Sequence, residues 1–182
     1  MIRSGLICVL GLGCLLADVE PARADCVDVP APGVYWRRCV QDGQDLRGVD
    51  LTGATLRDAS FNRADLTGAD LVKADLRRAK LVSTIMHNAR LDDANLVRAD
   101  LTKADLSDAS LVGADLTNAR LFRADLSRAD LTGARLNDTD LLKAVLAGAT
   151  WIDGKTICSE DSIGRCHRSS SAHDLSEAEP SG

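Results

Sequence analysis

Residues 99–131 read ADLTKADLSDASLVGADLTNARLFRADLSRADL. A leucine stands at Leu101, Leu106, Leu111, Leu116, Leu121, Leu126 and Leu131, and an alanine stands two positions before each. Followed outward, the phase runs from Leu46 to Trp151, twenty-two positions without a slip, with Phe61 and Met86 among the leucines. Alanine fills eighteen of the positions two before, and Gln44, Val49, Thr84 and Thr139 fill the rest. A helix turns about 100° per residue, so a step of five scatters leucines around its axis. A flat strand sends them to alternate faces, because the step is odd. A chain that turns a corner every five residues points each leucine inward again. Such coils would stack backbone to backbone at about 4.8 Å. The period does not by itself set the number of corners per coil.

Stretches such as ADLTGADL, ADLSDASL, ADLTNARL and ADLSRADL resemble the pentapeptide-repeat family, whose pattern is A(D/N)LxX. The resemblance implies an all-β, single-domain fold, a right-handed quadrilateral β-helix with leucine and alanine inward and the other three positions in solvent. About five and a half coils would then make a rod roughly 25 Å long. Each buried leucine contributes about 1.5–3 kcal/mol before chain entropy is subtracted. The repeated Asp65, Asp70, Asp75, Asp100 and Asp105 read as turn residues whose short side chains bond nearby backbone. The breaks at Thr84–Met86 leave room for a local bulge.

Outside the repeats, Arg3, the apolar stretch Leu6–Leu16 and Ala22-Arg23-Ala24 read as a signal peptide over residues 1–24. The apolar stretch is too short to span a bilayer, so no transmembrane segment is expected after cleavage. A lipoprotein reading at Cys14 fits less well, because Gly11 stands three before it. Cleavage removes two acidic and two basic groups and leaves the net charge at −5. It also leaves four cysteines, Cys26, Cys39, Cys158 and Cys166, an even number suited to disulfides in an exported chain. Four cysteines allow three pairings. The rod implied by the resemblance would hold its ends far beyond the roughly 7 Å that a disulfide spans, so the expected pairs are Cys26–Cys39 and Cys158–Cys166. A metal site at Cys158, Cys166 and His167 lacks a fourth ligand nearby. The expected plan is a cap over residues 25–43 carrying Tyr35 and Trp36, a β-helix over 44–153, a second cap over 154–168 and a disordered tail over 169–182.

No phosphate loop, nucleophile elbow or paired-cysteine redox motif occurs. His87, His167 and His173 are scattered. The expectation is therefore no enzyme, no cofactor and no metal. On a twenty-residue coil the outward charges sort onto four faces, named here by a central residue. The Leu46 and Leu51 faces come out acidic. The Leu56 face is close to balanced and rich in arginine, with Arg57, Arg77, Arg78, Arg98 and Arg135. The Phe61 face is the candidate binding surface. It carries Arg63, Lys80, Lys103, Arg120, Arg123 and Lys143 against Asp100 and Asp140, about +4, together with outward Val82, Phe122 and Leu142. Bases mixed with outward apolar groups suit a partner surface.

The expected role is a non-catalytic structural or protein-interaction scaffold of the envelope or secreted space, periplasmic or extracellular, with another protein or an envelope component as partner. A second reading is capture of an anionic ligand by the basic face. A third, protection of DNA gyrase by DNA mimicry, is implied by the family but asks for an acidic cytoplasmic rod. Nucleic acid is not an expected partner, and a homodimer is compatible with the reading.

Overall fold

Every fifth residue from Gly33 to Gly148 has a positive φ, between +54° and +70°. Each is the third residue of a β-turn. Thus the Leu101 carbonyl accepts the Ala104 N–H at 3.0 Å, and Lys103 between them sits at φ +59°. A positive φ there is the signature of a type II turn. In the computed structural model, which describes residues 26–168, these turns link short extended segments. The leader and tail expected from the sequence lie outside the described residues.

Parallel bridges join each segment to the one twenty residues on, as in Lys80 to Asp100 to Arg120. With a turn every five residues, each coil has four segments, and the segments stack into a β-helix. The bridges run from Tyr35 to Thr150 and give six stacked segments on each of four faces. At about 4.8 Å per coil the stack is about 29 Å long.

The repeat can be derived by following five consecutive N–H groups. Those of Leu101 and Lys103 donate forward to the Arg120 and Phe122 carbonyls, at 2.7 and 2.9 Å. That of Ala104 closes its own turn, and that of Asp105 donates back to Thr84 at 3.0 Å. Only the Thr102 N–H points away from any carbonyl, and the Asp100 carboxylate accepts it at 3.1 Å. A buried or half-buried donor left unmade is costly, so an acceptor is wanted before each leucine. Asp65, Asp70, Asp75 and Asp105 do the same for the residue two on. Where the position before the central residue is serine or lysine, the acceptor comes from the preceding coil. Asp42 serves Asn62, Asn62 serves Val82, and Asp92 serves Val112.

Inside, leucine and alanine columns form one core from Trp36 to Cys158. Thr84 is fully buried, and its hydroxyl donates to the Phe61 carbonyl at 2.8 Å. Thr139 does likewise with Leu116 at 2.8 Å. A hydroxyl thus fits an alanine slot by bonding back to the coil before. The bridges run unbroken from Asp65 through Ile85 to Asp105, so there is no bulge at Met86.

Two expectations need correction. The β-helix starts before residue 44: Gly33, Arg38 and Gly43 make regular turns, and Tyr35 and Val40 are bridged to the next coil. Trp36 and Gln41 occupy central positions, where their side chains disguised the phase. The segment read as a cap is the first coil. At the far end, residues 154–168 do not cover the whole last layer. Leu136 and Leu141 remain half-buried.

The leucine columns give a sharp contrast. Leu101→Asp places an unpaired charge in a continuous core and is expected to cost more than about 4 kcal/mol. Thr84→Ala restores the usual residue, and the Phe61 carbonyl keeps its turn bond from Ala64 at 3.0 Å, so it is expected to stay within about 1 kcal/mol of wild type. Thermal melting of the two variants checks both.

Candidate functional site

The first coil is anchored from outside. Cys26 is bonded to the buried Cys39 with Cα atoms 5.3 Å apart. The Gln41 amide donates to the Cys26 carbonyl at 3.1 Å. Together they tie Cys26 to the first coil, while Val27 and Val29 stay exposed. Trp36 fills the first core layer and meets the Phe61 ring at 6.5 Å between centroids.

The last coil is closed by reversal. Asp153 accepts from the Lys155 and Thr156 N–H groups and from the Thr156 hydroxyl, and the chain turns back on itself. Antiparallel bridges then pair Ile157 with Thr150 and Ile163 with Val145. Cys158, buried, is bonded to Cys166 with Cα atoms 5.0 Å apart. The buried Ser162 hydroxyl accepts the His167 N–H at 3.0 Å. This cap protects the edge of the Leu46 and Leu51 faces, where bare backbone invites pairing with other chains.

Along the coils the side chains arrange by sign. With the first coil included, the Leu56 face gains Arg37 and Arg38. It then carries seven arginines against Asp58, Asp75, Asp115 and Asp138, a net +3 rather than near balance. The Phe61 face gains Asp42, so its six bases meet three acids, also +3 and not +4. The Leu46 face nets −3 and the Leu51 face −4. Two adjacent faces are therefore basic, and the two that follow are acidic. Arg37 and Arg38 escaped the sequence reading because no leucine phase reached them.

Pairing sharpens the division. Ion pairs climb from coil to coil, as Arg90 to Asp70 at 2.7 Å, Arg128 to Asp108 at 2.6 Å and Arg78 to Asp58 at 3.0 Å. Arg120 meets Asp100 at 3.5 Å and Arg135 meets Asp115 at 3.7 Å. Exposed pairs like these add little stability, but they neutralise their members. Among the described residues, the coil bases outside any ion pair are Arg37, Arg38, Arg57 and Arg98 on the Leu56 face, Arg63, Lys80, Lys103, Arg123 and Lys143 on the Phe61 face, and Lys73. Nine of these ten stand on the two basic faces.

The candidate residues Arg63, Lys80, Val82 and Lys103 line one open groove of about 580 Å³, with Asp42, Asn62, Asp100 and Thr102. Arg120, Phe122, Arg123, Leu142 and Lys143 continue the face beyond it. Arg123 lies over the Phe122 ring at 5.2 Å, a cation–π contact. A smaller groove of about 250 Å³ lies among Arg57, Arg77, Arg78 and Arg98 on the neighbouring face. Both are shallow. Among the described residues no group of three His, Cys, Asp or Glu could hold a metal ion, and no helix is long and apolar enough to cross a membrane.

The pentapeptide-repeat model matches residues 45–81, 84–121 and 124–150, more than half of the chain, in eight copies. The chain belongs to the pentapeptide repeat family. Among solved structures, this pentapeptide repeat protein is similar to HetL from the cyanobacterium Nostoc sp. strain PCC 7120, which is involved in regulating heterocyst differentiation. The two are 34% identical over 68% of this chain and 64% of HetL, with a TM-score of 0.47. It thus spans less than two thirds of HetL. A thylakoid-lumen pentapeptide repeat protein of Arabidopsis thaliana is 26% identical over 69% of this chain and 86% of that one, with a TM-score of 0.24. QnrB1, a plasmid-mediated fluoroquinolone resistance protein, is 21% identical over 62% of this chain and 72% of its own, with a TM-score of 0.26. No curated protein matches the chain.

The caps generate two predictions. Cys158→Ser opens an eight-residue separation and is expected to cost about 2–3 kcal/mol, with amide protection lost first over residues 144–168. Hydrogen exchange checks it, and unchanged protection there refutes it. Acid acts on the same cap. Hydrogen bonds from the Thr156 hydroxyl and N–H and the Lys155 N–H hold the Asp153 carboxyl at about 2, below its ordinary 3.8. The Asp45 carboxyl is also held at about 2, by the Arg47 guanidinium and N–H. A carboxyl that binds its proton less tightly when folded stabilises the fold above its unfolded value, and that contribution is lost on acidification. Stability measured by urea melts is therefore expected to be flat above about pH 5 and to fall between about pH 4 and pH 2.

Proposed function

We propose that this pentapeptide repeat protein is a non-catalytic interaction scaffold of the cell envelope or secreted space, a stiff, right-handed, four-sided rod that presents flat charged faces to a partner. The observation that carries the reading is the confinement of nearly all unpaired bases to two adjacent faces. An unpaired guanidinium or ammonium keeps its full capacity for an incoming anion. The right hand follows from the rule for parallel β connections. Export is supported by the basic start, the apolar stretch and Ala22-Arg23-Ala24. Two disulfides add support, since such bonds persist in oxidising compartments. A non-catalytic role is supported by the shallowness of both grooves, because small-molecule chemistry favours deep sites. It is supported too by the turn aspartates, whose carboxylates are already committed to backbone N–H groups.

A second reading, capture of an anionic ligand, is favoured by the groove that joins Arg63, Lys80 and Lys103. Gyrase protection through DNA mimicry would need acidic charge all round, and only the Leu46 and Leu51 faces supply it.

The test is affinity capture from an envelope extract. Wild type is compared with a variant carrying Arg63→Glu, Lys103→Glu, Arg123→Glu and Lys143→Glu. A component retained by wild type and lost by the variant is the expected result, with binding weakened by salt. Identical retention by both would move the function away from this face.

A further inference from the structure

Four sides per coil set the Phe61 face opposite the Leu51 face. We propose that the Leu51 face of one copy docks on the Phe61 face of a second copy, so that rods associate side by side. This deepens the scaffold reading by naming a partner, and it rests on the four-sided coil in that reading.

Three observations select a second copy. The first is charge. The Phe61 face nets +3, with Arg63, Lys103, Arg123 and Lys143 in no ion pair among the described residues. The Leu51 face nets −4, with Asp50, Asp93 and Asp130 in none. The second is apolar surface at matched positions. Both faces put apolar side chains just after the central residue: Val82, Phe122 and Leu142 on one, Val72, Val112 and Ile152 on the other. Leu142 is 61% exposed, Val112 37% and Ile152 39%. The other opposed pair of faces, Leu56 and Leu46, has opposite charge but no such rows, since Arg57, Arg77, Thr67 and Ser107 stand at the equivalent places. The third is period. Both faces step at the same coil rise, so in register Lys80, Arg123 and Lys143 of one copy stand level with Asp93, Asp130 and Asp153 of the other. A foreign partner has no reason to share that spacing.

Because the complementary faces lie opposite each other, each added rod repeats the contact by translation. The interface is heterologous and does not close, so copies extend into a ribbon rather than stop at a dimer. Only the coils of Lys80, Arg123 and Lys143 set opposite charges level with each other outside existing ion pairs. A single contact is therefore weak, and since charge supplies much of it, salt dissolves it.

Sedimentation velocity of the oxidised protein tests the idea. The weight-average mass is expected to rise about twofold or more with concentration at low ionic strength and to return to the monomer near 0.5 M salt. A face-reversed variant with Arg63→Glu, Lys103→Glu and Arg123→Glu is expected to stay monomeric. So is one with Asp50→Lys, Asp93→Lys and Asp130→Lys. Mixing the two restores opposite charge across the contact and is expected to restore association. A wild-type monomer at every salt concentration overturns the proposal, whatever the variants do. Association that survives high salt, or that the reversed variants retain, overturns it as well. Wild type that stays monomeric while its basic face still captures an envelope component overturns the docking of copies and leaves the scaffold reading standing.

Discussion

One accounting constraint governs this molecule: five backbone N–H groups per side of the coil, of which the backbone itself satisfies four. Two donate to the next coil, one to the previous coil and one across its own turn. The fifth needs a side-chain acceptor, which is why an aspartate or asparagine so often precedes the leucine. Leucine and alanine then fill what the backbone leaves open inside. The third turn residue is left in the left-handed region, where arginine, lysine and aspartate stand at many of the turns and glycine at others. A strain of about 1–2 kcal/mol per such residue is tolerated because coil-to-coil bonding on both sides holds the turn.

The centre of the fold was legible because one residue type recurs at one interval. Leu46 to Leu131 could hardly be read otherwise, and the turn role of the repeated aspartates followed from their size and polarity. The first coil was not legible. Trp36 and Gln41 occupy leucine slots, and the contacts that make them suitable, the Phe61 ring and the Cys26 carbonyl, lie far along the chain. The cap after Trp151 gave cysteines and a turn signal but no sign of reversal, because antiparallel pairing is set by Asp153 gathering three donors. The basic face was visible in outline. Its continuation onto the Leu56 face depended on Arg37 and Arg38, which a misplaced boundary had put outside the coils.

The surface carries the functional information, and it is nearly independent of the fold. Outward positions answer to the turn only through one acceptor and one left-handed residue. Elsewhere they are free to vary, so sign can accumulate by face without disturbing the leucine columns. The separation of two basic from two acidic faces is the most distinctive property built on this scaffold. It gives the rod a direction across its axis that the repeat does not require.

The cap is lopsided, and this gives the rod a weak corner. Antiparallel pairing seals the last coil from Val145 to Thr150, whereas the N–H groups of Leu136, Asp138, Leu141 and Lys143 find no backbone carbonyl among the described residues. In a stack where each coil touches only its neighbours, opening begins where the fewest bonds must break. The rod should therefore unzip from that corner toward the tryptophan-filled coil, so that its resistance to a pull or a protease depends on which end is engaged.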